Sequence, residues 1–314
     1  MSSKKIKIEK KFALKEKMSI VIIGSKKFKQ STVNAMISEA QEVFDKAMFV
    51  TIDKIQIITT EKGLTLKYKD QNLLTDYDVI YPRFSSNDFL LGEAILKAIE
   101  TSKAYNPLNL KSFQITNHKY YTSQKLSKEG VPGILSTLLI SPKYIDLVIK
   151  EIGYPIVMKL ISGFAGKGVV LVKDKGQMNS LLDTVHLFEE CICMQKFVKS
   201  KNPGTDVRCY VTGDEVTGIM RIAKKGDWRS NLSRGGSAKI IEMTQEIKKI
   251  ALTSAKILNM DICAIDLMDN NGKYVVIEVN FMPGPFKKYI GNLMIKKWIK
   301  FLYKKGIENK KKIK

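Results

Sequence analysis

Paired cysteines, histidines and long apolar runs are all scarce in this chain, and each shortage removes a class of function. The four cysteines, Cys191, Cys193, Cys209 and Cys263, lie in strand-like apolar runs and form no Cys-x-x-Cys pair. Reduced core thiols are therefore expected, not disulfides or a zinc site. Of two histidines, His186 falls in an ordinary helix with no assignable role. No apolar run approaches membrane-spanning length, and the Lys-rich start lacks the apolar core of a secretion signal. A cytoplasmic protein with no membrane partner is expected.

Lysine is what the chain has in excess. The net charge is +22, but residues 1–17 hold seven Lys and two Glu, and residues 287–314 hold eleven Lys and one Glu. These ends account for +15, which leaves +7 for everything between. Terminal Lys runs read as solvated tails or outer helix faces; attraction of an acidic or nucleic-acid-bound partner is secondary, since no zinc-finger or RNA-binding signature accompanies the charge. At 314 residues, two or three domains are expected.

In chain order, Ser19–Gly24 reads as a buried strand and about 32–46 as a helix. Residues 55–59 and 64–68 read as a hairpin, 77–81 as a central strand and 90–102 as a helix. This alternation argues for an open α/β sheet. Asn106-Pro107-Leu108-Asn109 marks a boundary, after which Asn117 is expected to cap a helix that Gly130 ends. A Pro142 helix stopped by Gly153 leads to the strand Tyr154–Leu160, whose Lys159 interrupts an apolar run and needs an anionic partner. Ser162-Gly163-Phe164-Ala165-Gly166-Lys167-Gly168 then reads as a flap whose backbone N–H groups approach a phosphate, although it is not a P-loop. Strands follow at 191–198, 206–211 and 216–222. The loop Gly226–Gly236 carries Arg229 and Arg234, a residue type suited to bidentate phosphate or carboxylate recognition. Helices are expected at 242–258 and about 289–303, the second packing Trp298, Phe301 and Leu302 on the core.

Between those helices, Cys263–Met268 and Tyr274–Val279 are strand-length apolar runs joined by Asn270-Asn271-Gly272, a good hairpin turn. Alternation puts Glu278 and Asn280 on one face, and pairing can bring Asp266 across from them. Three such oxygen donors suit a hard cation that keeps room for water and phosphate.

Together these motifs resemble the RimK-type ATP-grasp ligases, the ATP-dependent α-L-glutamate ligases. The resemblance spans about Tyr77 to Gly284 and rests on six motifs in order. They are Asn117-His118-Lys119 with Gly130-Val131-Pro132; the Lys159 strand with Gly163–Val169; Asp206-Val207-Arg208-Cys209; Gly226–Asn231; Arg234-Gly235-Gly236; and Asp266 with Glu278-Val279-Asn280. Lys196 stands where the family commonly has Glu, His118 where it has Asp, and Met282 where it has a small residue.

The resemblance implies an α/β and α+β chain: an N-terminal open α/β domain (18–115) followed by central (116–198) and C-terminal (199–305) ATP-grasp subdomains. A Lys-rich extension (1–17) and a basic tail (306–314) would flank them. It implies that Lys119 and Lys159 hold the α- and β-phosphates of ATP, and that the backbone of Gln195, Lys196, Phe197 and Val198 contacts adenine. Asp206 would take the ribose, and Arg229, Ser230 and Asn231 would close on the nucleotide. Asp266, Glu278 and Asn280 match the family's ligands for Mg2+ or Mn2+, two ions being expected. The implied reaction activates a carboxylate as an acyl phosphate, which an amine then displaces; Arg208 and Arg234 are candidates for stabilising the acyl phosphate or holding substrate carboxylates. Partners would be ATP, an amino acid such as glutamate, and an acidic protein tail, a carrier protein or an anionic coenzyme; a homo-oligomer is left open. A ligase-derived protein that binds ribosomes or RNA without catalysis is the non-enzyme alternative.

Overall fold

The computed structural model describes residues 17–61, 63–139, 141–160, 168–186 and 192–313. The Lys-rich start, Cys191 and the expected flap up to Lys167 lie outside the described residues, as does the His186 side chain.

The first third comprises β1 (Ser19–Gly24), α1 (Gln30–Gln41), β2 (Lys46–Thr51), β3 (Gln56–Thr60), β4 (Gly63–Tyr68), β5 (Gln71–Asn72), β6 (Val79–Arg83) and α2 (Phe89–Ile99). A parallel sheet ordered β2-β1-β6 lies beside an antiparallel β3-β4-β5 sheet. The unbroken apolar run of β1 is what a central parallel strand buried on both faces requires. The helix expected to reach residue 46 ends at Gln41, and Lys46–Thr51 is a strand. Val43 and Phe44 prolong helical spacing in the sequence, whereas pairing of β2 with β1 settles the strand.

Then come α3 (Leu110–Asn117), α4 (Lys119–Lys128), β7 (Ser136–Leu139), α5 (Ile145–Ile152), β8 (Ile156–Leu160), β9 (Val169–Val172), α6 (Lys175–His186) and β10 (Ile192–Lys196). The sheet order is β7-β10-β8-β9. Asn117 ends α3 instead of capping α4; the cap is His118, whose Nδ1 accepts from the Tyr121 N–H at 3.3 Å. Helix α3 runs across the boundary expected at 115/116.

The last third contains β11 (Thr205–Thr212), β12 (Glu215–Ile222), β13 (Ser237–Ile241), α7 (Gln245–Ile257), β14 (Ile262–Asn270), β15 (Lys273–Asn280), α8 (Lys287–Ile290) and α9 (Leu293–Ile313). Its antiparallel sheet is ordered β13-β12-β11-β14-β15. Asn271 and Gly272 both have positive φ, 55° and 93°, as a two-residue hairpin turn demands. The basic tail expected at 306–314 is instead the continuation of α9 to Ile313. Gly306 permits this: a Cβ there would lie 2.6 Å from Val79 and 2.7 Å from Met18. Beyond it, Lys310 Nζ bonds Asp78 Oδ1 at 2.7 Å and the Lys17 carbonyl at 3.1 Å.

Two hydrophobic cores each draw on both the first and last thirds. In one, Val21 and Leu96 join Val207 and Ile265; in the other, Ile22 and Tyr81 join Tyr210 and Trp298. The central part has its own core, with Ile156, Met158, Met178 and Met194. It meets the C-terminal sheet through the Val276 N–H, which donates to the Pro132 carbonyl at 2.8 Å. Among the described residues no helix is long and apolar enough to cross a membrane.

Leu302 is fully buried where α9 closes the second shared core. Leu302→Ala is expected to lower the unfolding free energy by about 2–5 kcal/mol, measured by urea denaturation. A loss below about 1 kcal/mol would show that α9 only rests on the surface.

Candidate active site

Two adjoining cavities lie where the central sheet faces the C-terminal sheet. A chamber of about 1020 Å³ is walled by loop 84–89, α4, the start of β7 and the end of β15. A slot of about 120 Å³ is walled by β8, β10, β11, β15 and the arginine loop. Lys119, Lys159, Gln195 and Glu278 line both.

Strand register explains which side chains reach the slot. Cys193 pairs with Lys159 and Gln195 with Val157. The alternate residues Ile192 and Met194 enter the central core with Ile156 and Met158. Lys196 shares that opposite face by alternation, so it is the Lys196 backbone that borders the slot. A cation at this position therefore leaves one wall of the slot apolar: Ile134, Val157, Phe197, Met268 and Ile277. Burial lowers the pKa of both Lys119 and Lys159, and the charge of Glu278 pulls each back up. These ammonium groups are thus short of solvent, a condition that an anionic ligand relieves.

On the C-terminal sheet a row of buried charges crosses three strands. Arg208 on β11 grips Asp266 on β14 through Nε and Nη2, both at 2.7 Å. Arg221 on β12 grips Asp206 through Nε and Nη2, both at 2.6 Å, and reaches Asp266 Oδ2 at 2.9 Å. Ser230 donates a short hydrogen bond to Asp206, and Asn280 Nδ2 lies 3.3 Å from Asp266. Burial alone would raise the Asp266 carboxyl, but the charges of Arg208 and Arg221 hold it below the usual carboxylate range. Arg221 is absent from the sequence-based candidates although a signal existed. Thr212 pairs with Glu215 around Gly213-Asp214, and counting back along that register puts Asp206 opposite Arg221.

The expected metal ligands converge as the hairpin implies: Asp266 is directly opposite Glu278, and Asn280 touches Asp266. Two carboxylates and an amide suit a hard cation, with Glu278 facing both cavities. Among the described residues no group of three acidic, His or Cys side chains forms a metal cluster, so water or phosphate oxygens would complete the coordination. Only Glu278 and Asn280 of the three line the chamber; Asp266 is fully buried with both oxygens held by Arg208 and Arg221, so a cation would meet Glu278 and Asn280 first and reach Asp266 only by displacing a guanidinium.

Arg229, Ser230 and Asn231 line the slot, and Arg229 Nη1 bonds the Val169 carbonyl of β9 at 3.2 Å. Asp227 holds Arg229 at 3.0 Å and Arg234 at 2.8 Å, and these bonds keep its carboxyl well below the usual range. Arg234 is partly exposed and lines neither cavity.

Two outcomes follow from these contacts. Arg221→Met leaves Asp206 and part of Asp266 uncompensated, and should cost about 3–5 kcal/mol of stability by urea denaturation; a loss near zero would mean that solvent reaches the row. His118 is held neutral mainly by burial and then by the charge of Lys119, so its folded pKa lies below 6.5. The unfolded chain then takes up the proton first, and the contribution of His118 is present above about pH 6.5 and lost as pH falls toward the folded value. His118→Asp keeps an acceptor at the cap, so thermal melts from pH 7 to 5 should decline less steeply than those of wild type. Parallel curves would remove His118 from the acid response.

Residues 116–302 match the model of the RimK-like ATP-grasp domain. A probable alpha-L-glutamate ligase of Thioalkalivibrio sulfidiphilus is 34% identical over 229 residues, which cover 72% of this chain and 75% of that protein. Its counterpart in Methanococcoides burtonii is 33% identical over 253 residues, 79% of this chain and 83% of that one. The ATP-grasp ligase PsnB complexed with a minimal precursor has the same fold, with TM-score 0.69 and 18% identity over 91% of this chain and 98% of that one. D-alanine–D-alanine ligase from Bacillus anthracis complexed with ATP gives TM-score 0.66 and 19% identity over 95% and 100%. With the family model matching more than half of its length, the chain belongs to the RimK-like ATP-grasp family of ATP-dependent ligases.

Proposed function

We propose that this protein is an ADP-forming carboxylate–amine ligase that joins the amino group of L-glutamate to the terminal carboxylate of an acidic protein tail. The observation that carries the reading is the meeting of two cavities at Lys119, Lys159 and Glu278: a narrow apolar slot suited to a nucleotide and a chamber large enough for further substrates. The relatives named alpha-L-glutamate ligase support glutamate. Neighbours of the same fold, PsnB and MdnC, are solved with precursor peptides, which supports a peptide acceptor.

In this reading the purine base enters between Val157, Phe197 and Ile277, and Arg229, Ser230 and Asn231 close over the nucleotide. Lys119 and Lys159 neutralise the phosphates. A carboxylate oxygen of the acceptor attacks the γ-phosphorus and ADP leaves; the amine nitrogen then attacks the acyl carbon, inorganic phosphate leaves and the ammonium proton is released. Magnesium, as two ions held by Asp266, Glu278 and Asn280, would supply charge neutralisation at the transferred phosphoryl group. Arg208 lines neither cavity and is held by Asp266, so its part in stabilising the acyl phosphate would be that of a buried positive charge behind the site. The chemistry requires no protein nucleophile.

The test is ADP release with ATP, magnesium, L-glutamate and a panel of acceptor peptides. Turnover should depend on the acceptor, and Glu278→Ala should reduce it at least about 100-fold while the circular dichroism spectrum is unchanged. Wild-type activity in that variant would sink the metal assignment. Tight RNA binding without acceptor-dependent turnover would overturn the enzyme reading.

A further inference from the structure

Arg83, the last residue of β6, is only 2% exposed, yet no carboxylate among the described residues pairs with it. Its guanidinium lies among aromatic rings, with Cζ 4.9 Å from the ring centre of Trp298, 5.5 Å from Tyr81 and 5.6 Å from Phe28. Nη1 donates to the Tyr81 hydroxyl at 3.1 Å and Nη2 to the Pro283 carbonyl at 2.9 Å. Among the described residues its Nε–H has no hydrogen-bond partner, nor has the Nε1–H of Trp298 beside it. A cation buried this way is costly, and the rings and neutral acceptors offset only part of that cost.

The placement gives the cost a use. Phe84, next to Arg83, lines the large chamber, and so do Phe281 and Met282, next to Pro283. The Arg83–Pro283 bond therefore ties the N-terminal sheet to the turn leaving β15, immediately behind the chamber wall. The same turn is held from the C-terminal sheet by Tyr210, whose hydroxyl donates to the Gly284 carbonyl at 2.6 Å. It ends at Phe286 in the left-handed region with φ 46°, a conformation that persists only where surrounding contacts impose it.

We propose that Arg83 is a positioning residue for the substrate chamber: it fixes the turn after β15 and keeps a buried positive charge behind the wall, which favours a substrate carboxylate over its neutral analogue. The inference rests on the ligase reading and concerns the chamber alone, since the residues on either side of the Arg83–Pro283 bond, Phe84 and Met282, line the chamber and not the nucleotide slot.

Steady-state kinetics of the full chain test it, with ATP, L-glutamate, L-glutamine and a glutamate-ended peptide as probes. Arg83→Met should raise KM for L-glutamate or for the peptide roughly tenfold, the effect of losing one charged hydrogen bond. The KM for ATP should stay within about twofold, and the preference for glutamate over glutamine should fall. Arg83→Lys keeps the charge but loses the planar fork, so it should restore that preference without restoring the low KM. Unchanged substrate KM values, or an ATP KM that rises in parallel, would overturn the proposal. If Arg83→Met no longer binds ATP, its fold is lost and the same KM split in Arg83→Lys decides. A wild-type protein that releases no ADP overturns the ligase reading and this inference with it; an active wild type with an unaltered Arg83→Met overturns the inference alone.

Discussion

The buried row Arg208–Asp266–Arg221–Asp206 is the constraint on which the site depends. Four charges out of water are tolerable only because they alternate in sign and bond in forked pairs, so that Coulomb attraction and hydrogen bonds return what desolvation takes away. Both aspartates of the row carry a further contact. Asp266 touches Asn280 and faces Glu278 across the β14–β15 ladder, while Asp206 accepts from Ser230 and draws the arginine loop onto the sheet. The β14–β15 end and the arginine loop are thus parts of one electrostatic structure, and neither can shift without leaving a charge uncompensated in a dry interior.

Around that row the cores divide the chain unequally. The first and last thirds share two cores, strapped together by α9 and by the Lys310–Asp78 pair, whereas the central sheet packs on its own helices. The narrow slot opens between the two bodies, and the arginine loop touches the central one through Val169. Contact between separately packed bodies is the arrangement that lets a ligand close a site without breaking a core.

Most of the ladder was legible because local chemistry and fold agree. The Asn271-Gly272 turn, the apolar run of β1 and the Gly153 helix stop each have a local cause, and each is where that cause puts it. Three features were not legible. Strand β2 follows helix-like spacing at Val43 and Phe44 and is a strand because β1 offers it a partner. The cap of α4 fell to His118 because α3, unseen in the sequence, used Asn117 as its last turn. The Lys-rich end continues as helix past Gly306 because that glycine lets α9 lie directly on Met18 and Val79.

By itself the sequence determined the elements with local signals, the hairpin that opposes Asp266 to Glu278, and the ordered motifs that mark an ATP-grasp ligase. Tertiary structure alone decided where the charges go. Arg234 stays with Asp227 outside both cavities, and Arg83 lies in an aromatic box 200 positions from the carbonyl it holds. The reason is range: propensity and turn geometry act over a few residues, while the partner of a buried charge is chosen by which strands the sheet brings side by side.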